Sequence, residues 1–233
     1  VTLQEPSKHA ATLQNKPKLL RILAIETAGP GCSVALYING ETSFLEENAQ
    51  NKHTANLLPM VNKLLAKSGF KLNELDAVAV DAGPGSFTGL RIGAGVAQGL
   101  AYAANLPVIN ISSLQAMALK ADAKYVAVAL DARMQEIYFA GYKKVKADEL
   151  EVIYKPCLIK PETIELDPRL SWQLVGNGWQ EYKDKYQKIE ISNYGQNFGI
   201  MPHAREAARL AVINYWSRQK AEMAQPVYLR SAV

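Results

Sequence analysis

The feature that most restricts how this chain can fold is a layout of strand, acidic turn and strand that occurs twice. The first copy is LAIETAGPGCSVALYI, residues 23–38, in which an apolar run ends at Glu26 and a glycine and proline turn leads into a second apolar run. The second copy is YVAVALDA (Tyr125 to Ala132) followed by EIYFAGYK, with Asp131 in the place that Glu26 holds. An internal repeat of this kind implies two similar units, each needing other elements to cover its apolar faces. With 233 residues, 48% of them hydrophobic and 21% charged, the chain is long enough for one large domain or two small lobes.

The elements around each copy extend the comparison. Asn39-Gly40 is a strong hairpin signal and leads into TSFLEE as a third strand. From Thr54 to Ser68 the period changes, with Leu57, Val61, Leu64 and Leu65 at helical spacings, and Pro59 predicts a late start or a kink. DAVAV (Asp76 to Val80) reads as a buried strand, GPGSFTG as a loop, Leu90 to Ala104 as a helix, PVINIS as a strand and Ser113 to Lys120 as a short helix. The last strands require right-handed crossovers and so lie parallel in a mixed sheet. This order is that of the ribonuclease H-like half of an actin-type fold. In the second half ELEVIY and QLVGNG read as further strands, and Ala204 to Gln219 as a helix packing through Ala208, Leu210, Ala211 and Tyr215. The expected organisation is an α/β, two-lobed actin-like fold, each lobe a mixed sheet flanked by helices and the second reduced. Residues 1–18 are a polar leader, 19–121 the first lobe, and 122–233 the second lobe, whose C-terminal helix returns toward the first.

Several function classes are disfavoured by what the residues lack. The formal charge of +4 is spread along the chain, which permits weak attraction to nucleic acid without arguing for it. Cys32 and Cys157 form no C-x-x-C pair, and no apolar run is long enough to span a membrane, so a reduced cytoplasmic chain is expected. His53 begins an H-x-x-x-H pattern that Leu57 breaks, and His9 and His203 are distant, so no metal site is expected. Ser86 lies in G-S-F-T-G rather than the G-x-S-x-G of a serine hydrolase.

Three groups of residues remain as candidates. In GPGSFTGLRIG, Gly83 to Gly93, the residues Gly83, Gly85 and Ser86 form a turn before a helix, and such a loop either cradles phosphate or simply turns the chain sharply. The second reading is favoured, because no Walker lysine follows and Asp81 would repel phosphate unless a metal intervened; Arg91 either offsets that charge or faces solvent. Glu26 and Asp131 are placed as the acids of actin-type ATPases are, with Thr27, Gly29, Gly31 and Ser33 nearby. The second hairpin, however, has Arg133, Met134 and Gln135 where a phosphate loop needs glycine. Finally, Gly89, Gly93, Ala97 and Ala101 form a small-residue stripe beside Ile92, Val96 and Leu100. That stripe either packs on the chain's own sheet or admits a partner helix, and the residues leave both open.

The stretches ILAIETAGPGCSVAL, HTANLLPMV, GPGSFTGLRIGAGVAQGLAYAANLPVINISSL, ALDARMQEIYFA and PVYLR occur in the order and spacing of the TsaB (YeaZ) family, over nearly everything from Leu20 to Arg230. The chain therefore resembles that family, which is related to TsaD and the glycoprotease (peptidase M22-like) proteins. The resemblance implies a non-catalytic scaffold or activator without a cofactor, supporting a TsaD-type subunit that transfers a threonylcarbamoyl group to the tRNA adenosine beside the anticodon. It implies further partners: the ATPase TsaE, a second copy of the chain when alone, and tRNA only indirectly, with no membrane. It also implies that the first two helices bundle with those of the partner, which sets Leu57, Val61, Leu64, Gly89, Gly93, Ala97 and Ala101 at or near the interface. The family usually has a basic or glycine residue before GPGSFTG, where this chain has Asp81-Ala82. An actin-fold ATPase or kinase using Glu26 and Asp131, and a glycoprotease-like peptidase, are the alternatives.

Overall fold

The structure is a computed structural model that describes residues 19–47, 53–216 and 223–229. The leader at 1–18 and the last residues assigned to the C-terminal helix lie outside the described residues. Three strands open the chain as a meander: β1 (Arg21–Glu26), β2 (Cys32–Ile38) and β3 (Glu41–Glu47). The β2–β3 turn is Asn39-Gly40, with φ of 53° and 101°, the left-handed pair that a tight hairpin needs. Then follow α1 (His53–Ser68), β4 (Ala77–Gly83), α2 (Phe87–Ala104), β5 (Val108–Ser112) and α3 (Ser113–Lys120).

The first sheet has the order β3-β2-β1-β4-β5, with β1, β2 and β3 antiparallel and β4 parallel to both β1 and β5. The second half repeats it with β6 (Tyr125–Asp131), β7 (Ile137–Lys144), β8 (Leu150–Ile159), β9 (Trp172–Val175), the single-turn α4 (Gly178–Glu181), β10 (Gly195–Asn197) and α5 (Ala204–Trp216). Read from β8, the second sheet runs β8-β7-β6-β9-β10, the same connectivity as the first. The two-lobed actin-like arrangement expected from the repeat is therefore present.

Because strand side chains alternate with period two, each sheet feeds two cores. Leu23 and Ile25 of β1 join α1 and α2, whereas Ile22 and Ala24 meet Ala204, Ala207, Ala208 and Ala211 of α5. The small alanines of α5 allow that helix to lie close on the first sheet. Between the sheets sits α3, with Ala116 and Leu119 in the core shared with α5 and Leu114, Met117 and Ala118 in that of β6 and β7. The outer face of the second sheet is closed by Trp179, Tyr186, Ile164 and Ile189 from short turns rather than by long helices, which is the sense in which this lobe is reduced.

Two local expectations change. α1 starts at His53 and runs through Pro59, which lies on the exposed face. α2 begins at Phe87, because Ser86 caps it by accepting from Gly89 N, and it ends at Asn105 in a left-handed conformation with φ of 53°.

Candidate functional site

The candidate loop leaves β4 at Gly83, whose φ of 104° is favoured only by glycine. The Gly83–Pro84 peptide is cis. A Cβ at Gly85 would stand 2.7 Å from the Ala28 carbonyl oxygen, and Ser86 N donates to that same oxygen at 2.9 Å. The loop thus folds onto the β1–β2 turn, and its amides serve the fold: Gly83 N donates to Asp81 Oδ1 at 2.8 Å and Gly89 N to Ser86 Oγ at 3.3 Å. The residues weighed for phosphate are held as a sharp turn and helix start. Arg91 stays exposed, with its guanidinium 3.8 Å from the centre of the Phe87 ring.

Glu26 and Asp131 close their strands at matching places, but the structure gives them different company. Glu26 is 3% exposed and accepts from Gly29 N at 2.8 Å and from the Ser33 hydroxyl at 3.4 Å. Ser33 Oγ in turn accepts from Ala204 N at 2.9 Å, linking this acid to the start of α5. Thr27 donates its hydroxyl to Gly89 O at 2.7 Å. Asp131 Oδ1 accepts from Arg133 N at 2.7 Å and from the Tyr182 hydroxyl at 2.7 Å, while the Arg133 guanidinium lies 3.2 Å from Oδ2. Burial, with the Asp131 hydrogen bond second, pushes the Tyr182 hydroxyl up to about 12. The β6–β7 turn places Arg133, Met134 and Gln135 at φ of 62°, 55° and 62°, three left-handed residues in succession without a glycine.

The acid that pairs electrostatically with Glu26 is Asp81, which the sequence reading weighed only as a charge beneath the loop. β1 and β4 are parallel with Ile25 beside Val80, so the two carboxyls emerge side by side from neighbouring strand ends. Asp81 is 1% exposed, accepts from the Ser113 hydroxyl at 2.5 Å and has no partner for Oδ2. Burial raises Asp81 to about 7, against the hydrogen bonds from Ser113 and Gly83. Burial and then the charge of Asp81 raise Glu26 well above the usual carboxylate range. The signal for this pair was the placement of both acids at the C-terminal ends of strands whose connection is a parallel crossover.

The residues set at or near a partner surface need correction. Leu57, Val61 and Leu64 are 0–2% exposed and belong to the core between α1, α2 and the first sheet. Ala97 and Ala101 lie in the same core, and a Cβ at Gly89 would stand 1.8 Å from Thr27 O and one at Gly93 2.4 Å from Thr27 Oγ1. The Gly89, Gly93, Ala97 and Ala101 stripe therefore packs on the chain's own sheet, where small residues let α2 approach β1 and β4 closely. The outward side of α2 carries a second small stripe, Gly95, Gly99 and Ala103, beside Tyr102, which is 87% exposed. A Cβ at either Gly95 or Gly99 would meet nothing within 4 Å. On α1, Leu58 faces outward at 46% exposure. His53 is outside the residues whose side chains are described, and Leu57 is in the core rather than beside any acid cluster. Among the described residues no group of three or more His, Cys, Asp and Glu is arranged to hold a metal, and no helix is long and apolar enough to cross a membrane.

Comparison with known proteins agrees with this geometry. Residues 44–215 match the family model described as TsaD: tRNA N6-adenosine threonylcarbamoyltransferase. The tRNA threonylcarbamoyladenosine biosynthesis protein TsaB of Haemophilus influenzae is 40% identical, over 92% of this chain and 95% of that protein. The chain belongs to the TsaB family. The TsaB protein of Escherichia coli is 38% identical over 92% of this chain and 96% of its own length. The solved structure of YeaZ from Pseudomonas aeruginosa superposes with a TM-score of 0.84 at 34% identity, covering 91% of this chain and all of that one. The match with the wider TsaD-type family spans both lobes, in keeping with the repeated sheet topology.

Proposed function

We propose that the chain acts in forming threonylcarbamoyladenosine in tRNA as a non-catalytic cytoplasmic subunit that supports a TsaD-type transferase, with TsaE as a further partner. The observation that carries the non-catalytic part is the filling of the crevice acids from within. Glu26 is enclosed by Gly29 and Ser33, Asp131 is tied to Arg133 and Tyr182, and the Gly83–Ser86 loop is packed against Ala28, whose carbonyl takes the Ser86 amide. A carboxylate already bonded to its own chain is a poor ligand for a metal-bound phosphate. The names of the TsaB relatives supply the pathway.

In this reading the partner meets the outward sides of α1 and α2, at Leu58, Gly95, Gly99, Tyr102 and Ala103. Their small residues admit a helix closely, and the exposed Tyr102 ring suits an interface anchor. When alone, the chain pairs with a second copy through the same side, and tRNA is touched through the partner. The test is co-purification with TsaD-type and TsaE-type proteins and a tRNA modification assay that omits each in turn. Loss of activity without this chain, and none from this chain alone, is expected; transfer by this chain alone would overturn the reading. Gly95→Leu, which leaves the core untouched, is expected to abolish co-elution with the TsaD-type subunit, and unchanged co-elution would refute the docking side.

A further inference from the structure

Residues 223–229 run as an extended strap back along α2, and they are held chiefly through their own main chain. Ala224 N donates to Gln98 Oε1 at 2.9 Å, Gln225 N to Asn110 Oδ1 at 3.3 Å, and Asn110 Nδ2 to Met223 O at 3.1 Å. Val227 N donates to Ala82 O at 2.7 Å, at the end of β4. The strap therefore ties α2 through Gln98, β5 through Asn110 and β4 through Ala82. It finishes over the first turn of α2, where the Tyr228 ring centre is 5.6 Å from that of Phe87 and its hydroxyl accepts from Arg91 Nε at 3.3 Å.

The strap also covers the loop that starts α2. A Cβ at Gly83 would lie 3.2 Å from the Val227 carbonyl oxygen, so this backbone rests directly on the left-handed residue where the loop leaves β4. Apolar burial in the strap is slight: Met223, Val227 and Tyr228 are 65%, 50% and 48% exposed, and Ala224 reaches the core from its margin. A segment held by a few backbone hydrogen bonds and little buried surface opens at a lower free energy than the sheets beneath it.

We propose that residues 223–229 are a clamp that opens without unfolding the lobe and that sets how firmly the Gly83–Ser86 loop and the first turn of α2 are held. When closed, it fixes both ends of the α2 segment from Phe87 to Gln98. When open, it frees Ala82 O and uncovers Phe87 and Arg91. In so far as α2 faces a partner, a consequence that rests on the function proposed above, the clamp governs how rigidly that face is presented.

Hydrogen exchange on the full free chain tests the clamp without any partner. Gln98→Ala/Asn110→Ala removes the side-chain amides that grip the strap, and Val227→Pro removes the N–H that reaches Ala82 O and sets the ring Cδ against that oxygen, which presses the strap away from β4. In both, exchange across residues 83–92 is expected to rise about tenfold, while β6 keeps its native rate. Unchanged exchange at 83–92 in both variants would overturn the proposal. Faster exchange throughout both sheets would overturn it too, because the strap would then be part of the global fold rather than a local clamp. Normal co-elution of Gly95→Leu with the TsaD-type subunit would remove the docking side and leave this result standing.

Discussion

Gly89 and Gly95 lie on one helix, and the structure assigns alanine opposite effects at the two. At Gly89 the added Cβ would fall 1.8 Å from Thr27 O. Ordinary carbon to oxygen contact is about 3.3 Å, so α2 or the β1–β2 turn must give way by about 1.5 Å. Overpacking of this kind costs about 1–3 kcal/mol or more. The same displacement pulls Gly89 O away from the Thr27 hydroxyl, now 2.7 Å distant, and leaving that buried pair unmade costs about 1–3 kcal/mol. Helix propensity returns about 1 kcal/mol, so Gly89→Ala is expected to destabilise by about 1–5 kcal/mol. At Gly95 nothing lies within 4 Å of the new atom, and only the propensity term remains, a gain of about 0.5–1 kcal/mol. Urea unfolding at matched slope reads both values. If the two variants shifted the midpoint in the same direction, or Gly89→Ala left it unchanged, the assignment of the inward face of α2 would fail.

Three other outcomes follow from the same geometry. Leu57→Ala is expected to cost about 2–5 kcal/mol, because Leu57 is fully buried, while Leu58→Ala at 46% exposure changes stability by under about 0.5 kcal/mol; equal effects in thermal unfolding would contradict the orientation of α1. Asp81 holds its proton in the folded state up to about 7 but releases it near 3.8 when unfolded, so its contribution to stability is full below about 4 and is lost as pH rises to about 7. Asp81→Asn keeps an acceptor for Ser113 and has no proton to lose, so its unfolding midpoint should improve relative to the parent across that window; a gap independent of pH would argue against a strained acid pair. Met134→Asn, at φ of 55° and 77% exposed, should stabilise by about 0.5 kcal/mol, because asparagine tolerates the left-handed conformation better, and a calorimetric melting point lower than the parent's would show that the strain is absent.

Much of the fold was legible because its signals are local. The hairpin layout, the Asn39-Gly40 turn, the change to helical period after Thr54 and the Ser113 to Lys120 helix each depend on neighbours within a few residues, and the backbone follows them. The reading through Pro59 was less accurate, since a proline on the exposed face is tolerated when the apolar face opposite is packed. In the site, the lack of glycine between Asp131 and Glu136 was read as the lack of a phosphate loop, and the run of three left-handed residues that the turn adopts there left no signal in the sequence. The partners of Asp131, among them Tyr182, lie far along the chain and left no local trace.

What the sequence determined by itself was the repeated architecture and the presence of small-residue stripes on α2, because periodicity along one helix or strand is a property of the chain alone. Which stripe faces inward was decided only in the tertiary structure. Gly89 and Gly95 are the same residue on the same apolar helix, and they differ solely in that Thr27 lies against the first and nothing lies against the second. The acid pair has the same origin. Glu26 and Asp81 become neighbours only when β4 aligns in parallel beside β1, and burying both carboxyls at that strand end is what raises their proton affinity.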